Sequence, residues 1–274
     1  MRNLLSAGFY RLARYRLFWI TLIGYMVLSA LKVIDDYQIS TDFNSGFTID
    51  GTLFDMLPIL GFFLAVLTSI FLGDEFRGGP IRNKIIAGYS RNIIYCCNFI
   101  VMAAAAIVEL LAGYLVSFIT GLALGDGYSA NGKQIVTLII ISVVVVVVYS
   151  ALFTAIALVI GKRTATVVAC LIITGLMLYS AILIMSRLEE PEQRSDMVLT
   201  ANGTVVQEEP YDNPFYVEGT KRQVLTVIQK LLPTGQAIRI AQREGSFDML
   251  LYSLIVIVFV TSGGMVIFYR KDNQ

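Results

Sequence analysis

Six long apolar stretches constrain this chain more than any other feature of its sequence. Each is long enough to span a bilayer, since a helix crosses the roughly 30 Å hydrocarbon core with about 20 residues. The stretches are residues 17–34, 54–72, 93–123, 135–160, 166–185 and 249–269. The six consecutive valines at 143–148 would suggest a buried strand in water. Within an apolar run of membrane length they are interpreted as helix, because lipid requires the backbone to satisfy its own hydrogen bonds. The sequence therefore predicts an all-α membrane protein with six transmembrane helices in a single domain, residues 1–274.

The composition supports this fold class. Hydrophobic residues make up 56% of the chain and charged residues 15%, whereas about a quarter of the residues in a soluble domain are charged. The chain contains no histidine, which excludes His-based metal sites and nucleophiles. The formal net charge is only +1, so there is no general attraction to nucleic acid and no nucleic-acid partner is expected.

Basic residues are concentrated in four segments that all lie on one side of the predicted bundle. These are Arg2, Arg11, Arg14, Arg16, Arg77, Arg82, Lys84, Arg91, Lys162, Arg163, Arg270 and Lys271. Among the charged residues of the two short loops on the other side, six are aspartates and only Lys32 and Lys133 are basic. Because the more basic loops of a membrane protein face the cytoplasm, both termini are predicted to be cytoplasmic.

The segments that flank the spans have patterns of their own. Residues 1–16 alternate apolar and basic positions, which predicts an amphipathic helix on the cytoplasmic membrane surface. Residues 186–248 form a large external segment of mixed charge between the fifth and sixth spans. Within it, residues 221–241 show helical apolar spacing that is interrupted at 233–235, which predicts a helical hairpin. The hairpin either rests on or dips into the outer membrane surface, or packs on the outer loops.

Two short motifs carry little weight. Residues 127–134 have the Gly-x4-Gly-Lys spacing of a phosphate-binding loop, but Gln134 stands where Ser or Thr must bind magnesium. Asn202-Gly203-Thr204 matches the N-glycosylation triplet, which is common by chance. We expect no catalytic residue, cofactor site or metal site on this chain, and we do not expect it to be an enzyme.

Glu109 is the only charged residue deep inside a predicted span. A charged side chain at the centre of a membrane helix costs about 2.5–3.5 kcal/mol on insertion scales, so such residues are candidates for a function. One interpretation is an intramembrane contact to a substrate or a proton. The other is a protonated or hydrogen-bonded carboxyl group buried between helices, which the lack of a histidine partner favours.

The segment between the second and third spans, residues 73–92, carries the most informative pattern. Gly78-Gly79 allow a turn, and Pro80 suits the first position of a helix. Ile81 and Ile85 then stack one turn apart, with basic residues on other faces. Downstream, Gly88 can end this helix and Ser90 can cap the next one. The pattern predicts a short helix with apolar and basic faces, held between two spans, which suits the docking of a cytoplasmic partner.

The same residues resemble a known family. The pattern Glu75-x-x-x-Gly79-Pro80-Ile81-Arg82-Asn83-Lys84, followed by Gly88-x-Ser90-Arg91, is similar to the loop after the second span of ABC-2-type ABC transporter permeases. Pro80 stands where that family more often has Thr. The six spans, the amphipathic N-terminal helix and the large external segment before the last span match the family's architecture as well.

The resemblance implies a function and a set of partners. In that family the loop forms a coupling helix that contacts a separate ATPase subunit, which binds ATP and magnesium. The corresponding residues here are Glu75, Arg77, Pro80, Ile81, Arg82, Asn83, Lys84 and Ile85. By this resemblance the chain is the permease subunit of an exporter in a bacterial cytoplasmic membrane, surrounded by membrane lipid and paired with a second permease copy or paralogue. Its cargo would be a peptide, a lantibiotic or a drug-like molecule.

Two other functions are compatible with the same six-span pattern. An ion-coupled secondary transporter or channel would use Glu109, although such proteins usually carry more intramembrane charge and show repeat symmetry. A non-transporting immunity or scaffold protein would share the topology but tolerate changes in residues 73–92.

Overall fold

The computed structural model describes residues 1–77, 79–125, 127, 131–195, 197–199, 205–207 and 209–270. Eleven helices lie within these residues: α1 (Arg2–Ala13), α2 (Arg16–Asp42), α3 (Ile49–Thr52), α4 (Leu57–Arg77), α5 (Pro80–Ile86), α6 (Arg91–Leu124), α7 (Gly132–Ile160), α8 (Arg163–Leu188), α9 (Gly219–Leu231), α10 (Pro233–Ala241) and α11 (Asp248–Arg270). Four short strands are β1 (Gln193–Arg194), β2 (Met197–Leu199), β3 (Val205–Gln207) and β4 (Tyr211–Asp212).

Six of the helices, α2, α4, α6, α7, α8 and α11, are long and apolar enough to cross a membrane. They overlap the six predicted apolar stretches. The prediction of an all-α, multi-pass membrane protein is confirmed as far as the number, length and apolar character of the helices are concerned. Several helices extend beyond the predicted spans. The clearest case is α2, which continues through the polar residues 35–42 and ends shortly before Asn44, whose φ is 49°.

The bundle is organised around α7 and α4. Helix α7 packs against α4, α6 and α11, while α4 packs against α8 and α2 packs against α6. The largest core cluster brings together aromatic side chains from several helices, including Tyr25, Phe54, Tyr149 and Phe153. The outward faces of α8 and α11 expose large apolar side chains such as Leu176 and Phe259, which is unfavourable in water and suits contact with lipid.

The described residues between α8 and α11 combine short strands with the predicted helical hairpin. Strand β1 pairs with β4 and β2 with β3, both antiparallel. Helices α9 and α10 are separated at Leu232, because Pro233 takes the first turn of α10. Helix α10 packs against α4, α7 and α8, so the second half of the hairpin is part of the bundle.

Some features of the sequence fall outside the described residues. These are Gly78 of the predicted turn, Asp126, residues 128–130 of the phosphate-loop-like motif, the Asn202-Gly203-Thr204 triplet, and Lys271 in the basic tail.

Candidate functional site at the basic end of the bundle

The connection from α4 to α6 forms by local rules that the sequence already indicates. Gly79 precedes α5 with a φ of 79°, a left-handed conformation that favours glycine. Pro80 lies in the first turn of α5, and Gly88, with a φ of 86°, follows its end. The Ser90 hydroxyl accepts a hydrogen bond from the Ile93 amide at 3.4 Å and caps α6. The predicted short helix and cap are present, and Gly79 is the described half of the predicted turn.

Glu75 lies in the last turn of α4, because that helix continues to Arg77 instead of ending near residue 72. The Glu75 side chain is 1% exposed. Its Oε1 atom is 2.7 Å from a guanidinium nitrogen of Arg11 on α1 and 2.7 Å from Nζ of Lys84 on α5. Its Oε2 atom accepts a hydrogen bond of 2.9 Å from the Asn98 amide on α6. One carboxylate therefore connects four helices.

This arrangement explains why a carboxylate is tolerated inside the protein. Burying an isolated charge costs several kcal/mol, and the cost is offset only by close, well-aligned opposite charges and hydrogen bonds. Glu75 has two cationic partners and one amide donor. The Arg11 guanidinium also lies 3.9 Å from the centre of the Phe71 ring, a favourable cation–π contact. We refer to Glu75, Arg11, Lys84 and Asn98 as the Glu75 cluster.

A second ionic contact lies beside the Glu75 cluster. The Asp74 carboxylate accepts a hydrogen bond from the Tyr15 hydroxyl and pairs with Arg163, at the start of α8, at 3.0 Å. Burial and the Asp74 carboxylate raise the pKa of Tyr15 to about 12, so this hydroxyl remains a proton donor. A Cβ atom at Gly73 would lie 2.8 Å from the Arg163 Cα, so glycine allows this close approach of α4 and α8.

Apart from Pro80, which begins α5, the predicted coupling residues separate into three groups. Glu75 and Lys84 point into the Glu75 cluster. Ile81 is buried beside Tyr95 and Phe268, and Ile85 packs against the same group. The outward-facing residues are Arg77, Arg82 and Asn83.

The outward surface of α5 borders a cleft of about 660 Å³ between the end of α4 and the start of α6. Its lining includes Arg82, Ile85, Ile86 and Arg91. Ile86 is 74% exposed and is not among the coupling residues predicted from the sequence. Arg91 donates a hydrogen bond of 3.2 Å to the Phe268 carbonyl, which holds the start of α6 against the end of α11. The cleft thus combines basic and apolar groups on a rigid frame.

Glu109 lies far from this cleft, at the contact between α6 and α2. It is fully buried, and its Oε1 atom accepts a hydrogen bond of 2.6 Å from the Thr21 hydroxyl. Its Oε2 atom has no hydrogen-bond partner among the residues that the structure describes. Within the same residues, no group of three or more Cys, Asp or Glu side chains could hold a metal ion.

No protein-family model matches the chain, and a search of curated proteins found no significant match.

Proposed function

We propose that this chain is the membrane-spanning permease subunit of an ATP-driven ABC exporter. In this proposal α5 is the coupling helix, and a separate ATPase subunit that carries ATP and magnesium docks on its exposed face. A second permease copy or paralogue completes the translocation path, and the cargo is a peptide, a lantibiotic or a drug-like molecule. The basic end of the bundle, with both termini, faces the cytoplasm of a bacterial cell.

The observation that carries the proposal is the Glu75 cluster. A coupling helix must be held firmly by the membrane helices on one side and be open to a partner on the other. Helix α5 satisfies both conditions, because Lys84 joins it to Glu75 while Arg82, Asn83 and Ile86 remain exposed. A push on α5 would be transmitted through Glu75 to α1, α4 and α6 together, which is the mechanical linkage that a two-state transporter needs.

The structure indicates which residues of α5 are suitable for mutation in a test of docking. Lys84 pairs with a buried carboxylate, so a Lys84 substitution would disturb the bundle as well as the surface. Arg82→Glu combined with Ile86→Asp changes only exposed groups of α5. We expect this double variant to insert and fold normally and to lose at least about 10-fold of its bound ATPase, since a buried charge reversal at an interface costs more than 1.4 kcal/mol.

The measurement is affinity purification of the tagged chain from its native host in mild detergent, with quantification of the co-purifying ATPase. Lys133→Glu is the matched control, because it makes a similar charge change on an exposed residue at the opposite end of the bundle. Equal ATPase recovery with the double variant and the wild type would remove α5 from the interface. A wild-type preparation without any ATPase, also after crosslinking, would contradict the permease proposal itself.

The proposed orientation has a separate test. Single cysteines introduced at Arg82 and at Lys133 lie at opposite ends of the bundle and are both exposed. A membrane-impermeant thiol reagent added to intact cells should label the cysteine at 133 and leave the one at 82 unlabelled until the cells are opened. The reverse pattern would invert the topology.

Glu109 supports a second candidate function, an ion-coupled transporter. Its buried position and its unpartnered Oε2 atom, within the described residues, are features that a proton- or cation-binding carboxyl group requires. Transport that persists without ATP and is abolished by Glu109→Gln would favour this candidate.

A further inference from the structure

A second cleft at the basic end of the bundle lies on the other side of Arg77, a residue that it shares with the cleft beside α5. It has a volume of about 850 Å³ and lies between the end of α4 and the first turns of α8. Its mouth is lined by three cations, Arg77, Lys162 and Arg163. Its wall is apolar and consists of Ala165, Val168, Ala169 and Ile172.

The charge at the mouth of this cleft is largely uncompensated. Arg163 pairs with Asp74. The side chains of Arg77 and Lys162 make no ion pair or hydrogen bond with the part of the chain that the structure describes. Three cations and one carboxylate leave a local charge of +2. Helix α8 also begins here without a side-chain cap at Lys162, and the first amides of a long helix favour an anion.

The apolar wall continues away from these cations along one face of α8. The residues at positions 165, 168, 169 and 172 follow the helical repeat of three and four. Leu176 and Tyr179 extend the same exposed face. Since a helix rises 1.5 Å per residue, this face runs for about 20 Å from Ala165 to Tyr179, which exceeds the depth of one leaflet of a roughly 30 Å hydrocarbon core.

We propose that this cleft binds one anionic phospholipid, with its phosphate between Arg77, Lys162 and the start of α8 and one acyl chain along the wall formed by Ala165, Val168 and Ile172. The positive charge at the mouth complements an anionic headgroup, and the apolar face below it has the length of an acyl chain in the membrane. A free phosphate would use only the first of these features. Basic pockets beside membrane helices are a known way of recognising anionic headgroups. The inference requires a bilayer around the bundle and does not depend on the exporter proposal.

The probe is a nanodisc that contains equal amounts of phosphatidylglycerol and phosphatidylcholine. The purified chain is released from it in the mass spectrometer, and the retained lipid is identified. We expect the wild type to retain one phosphatidylglycerol per chain. Arg77→Gln and Lys162→Gln should each reduce the preference for phosphatidylglycerol about 5-fold, and the double variant about 25-fold, because each cation contributes a similar increment at an anionic surface.

Two controls separate this cleft from general surface charge. Arg14→Gln combined with Arg16→Gln removes the same charge from exposed positions directly after α1 and at the start of α2, at the same end of the bundle, and the retained lipid should change less than 2-fold. Ala165→Phe fills the exposed start of the wall without changing any charge, and it should also reduce retention at least 5-fold. Elution of each variant at the wild-type volume verifies folding.

The proposal is overturned by any of three results. The first is an Arg77/Lys162 variant that retains as much phosphatidylglycerol as the wild type. The second is an Arg14/Arg16 variant that loses as much phosphatidylglycerol as the Arg77/Lys162 variant. The third result is a wild-type dimer that carries no lipid and dissociates in the Ala165→Phe variant, which would assign the cleft to contact with a second chain.

Discussion

At the basic end of the bundle the Glu75 carboxylate has partners from three other helices, whereas near the middle of α6 the Glu109 carboxyl group has a single described partner. Both side chains are buried. Glu75 faces two cations and an amide, and Glu109 faces the hydroxyl of Thr21. The two regions therefore hold the same side chain by different means.

The difference indicates what each region can do. Glu75 is part of an ionic cluster whose members come from four helices, so its removal leaves the partly buried cations of Arg11 and Lys84 without their carboxylate partner. Glu109 belongs to a two-helix contact in which a neutral acceptor of the same shape could replace it. A region of the first kind transmits movement between helices, whereas Glu109 adds a single hydrogen bond to an extensively packed contact between α2 and α6.

The largest effect is expected for Glu75→Ala. Removing one member of a buried ion pair leaves the remaining charges uncompensated and typically costs about 3–5 kcal/mol. Here Arg11 and Lys84 would both lose their carboxylate partner. We expect a large decrease in the thermal unfolding midpoint of the purified protein in detergent, and weaker recovery of the ATPase. An unfolding midpoint within experimental error of the wild type would show that the Glu75 cluster does not hold the four helices together.

The two cations of the Glu75 cluster should not behave alike. Arg11→Met and Lys84→Met each remove one partner of the same Oε1 atom, and we expect each to cost about 1–3 kcal/mol in the free energy of unfolding. The Arg11→Met substitution should lower the free energy of unfolding more than Lys84→Met, because Arg11 also stacks on Phe71. Residues that share a partner are coupled, so the double variant should differ from the sum of the two by at least about 0.5 kcal/mol. Strict additivity would mean that the two cations act independently.

Local sequence patterns predicted much of this site, and its long-range contacts explain what they missed. The turn at Gly79, the helix start at Pro80 and the cap at Ser90 depend on neighbours within four residues, so their spacing in the sequence was sufficient. Asn98 lies 23 residues from Glu75, and Arg11 lies on a different helix. No periodicity connects such positions, since packing of the bundle alone brings them together.

The intramembrane region shows the same limit. Glu109 could be selected from the sequence because it is a lone charge in an apolar run. Its partner Thr21 is 88 residues away, and threonine in an apolar helix gives no distinguishing signal. The direction of the Lys84 side chain could not be predicted from the sequence either. It depends on which face of α5 packs against Glu75, and that is set by the fold.

At the opposite end of the bundle, Asp55 should have a smaller effect, which makes the free energy of unfolding depend on pH. Asp55, before α4, lies 3.9 Å from Lys32, but burial and the nearby Asp36 carboxylate raise its pKa from 3.8 to about 6. The folded protein therefore binds a proton more readily than the unfolded chain between these values. The free energy of unfolding should decrease as the pH rises from about 4 to about 6.

Unfolding measurements between pH 4 and 7 test this expectation. Asp55→Asn should remove the decrease, and near pH 7 it should be more stable than the wild type by about 1 kcal/mol, because partial exposure screens the full effect. The exposed Asp35 provides the control, and Asp35→Asn should retain the wild-type pH dependence. A wild-type stability that rises over this interval would contradict the assigned direction.

The smallest effect is expected for Glu109→Gln. The glutamine carbonyl can still accept the hydrogen bond from Thr21, and no cation among the described residues pairs with this side chain. We expect a change of less than about 1 kcal/mol in the free energy of unfolding and unchanged ATP-dependent transport, in contrast to the same substitution at Glu75. Parallel unfolding and transport assays in proteoliposomes distinguish the two candidate functions. If Glu109→Gln keeps the stability but abolishes transport, the carboxyl group itself participates, and ion coupling through α2 and α6 replaces the ATPase-driven mechanism.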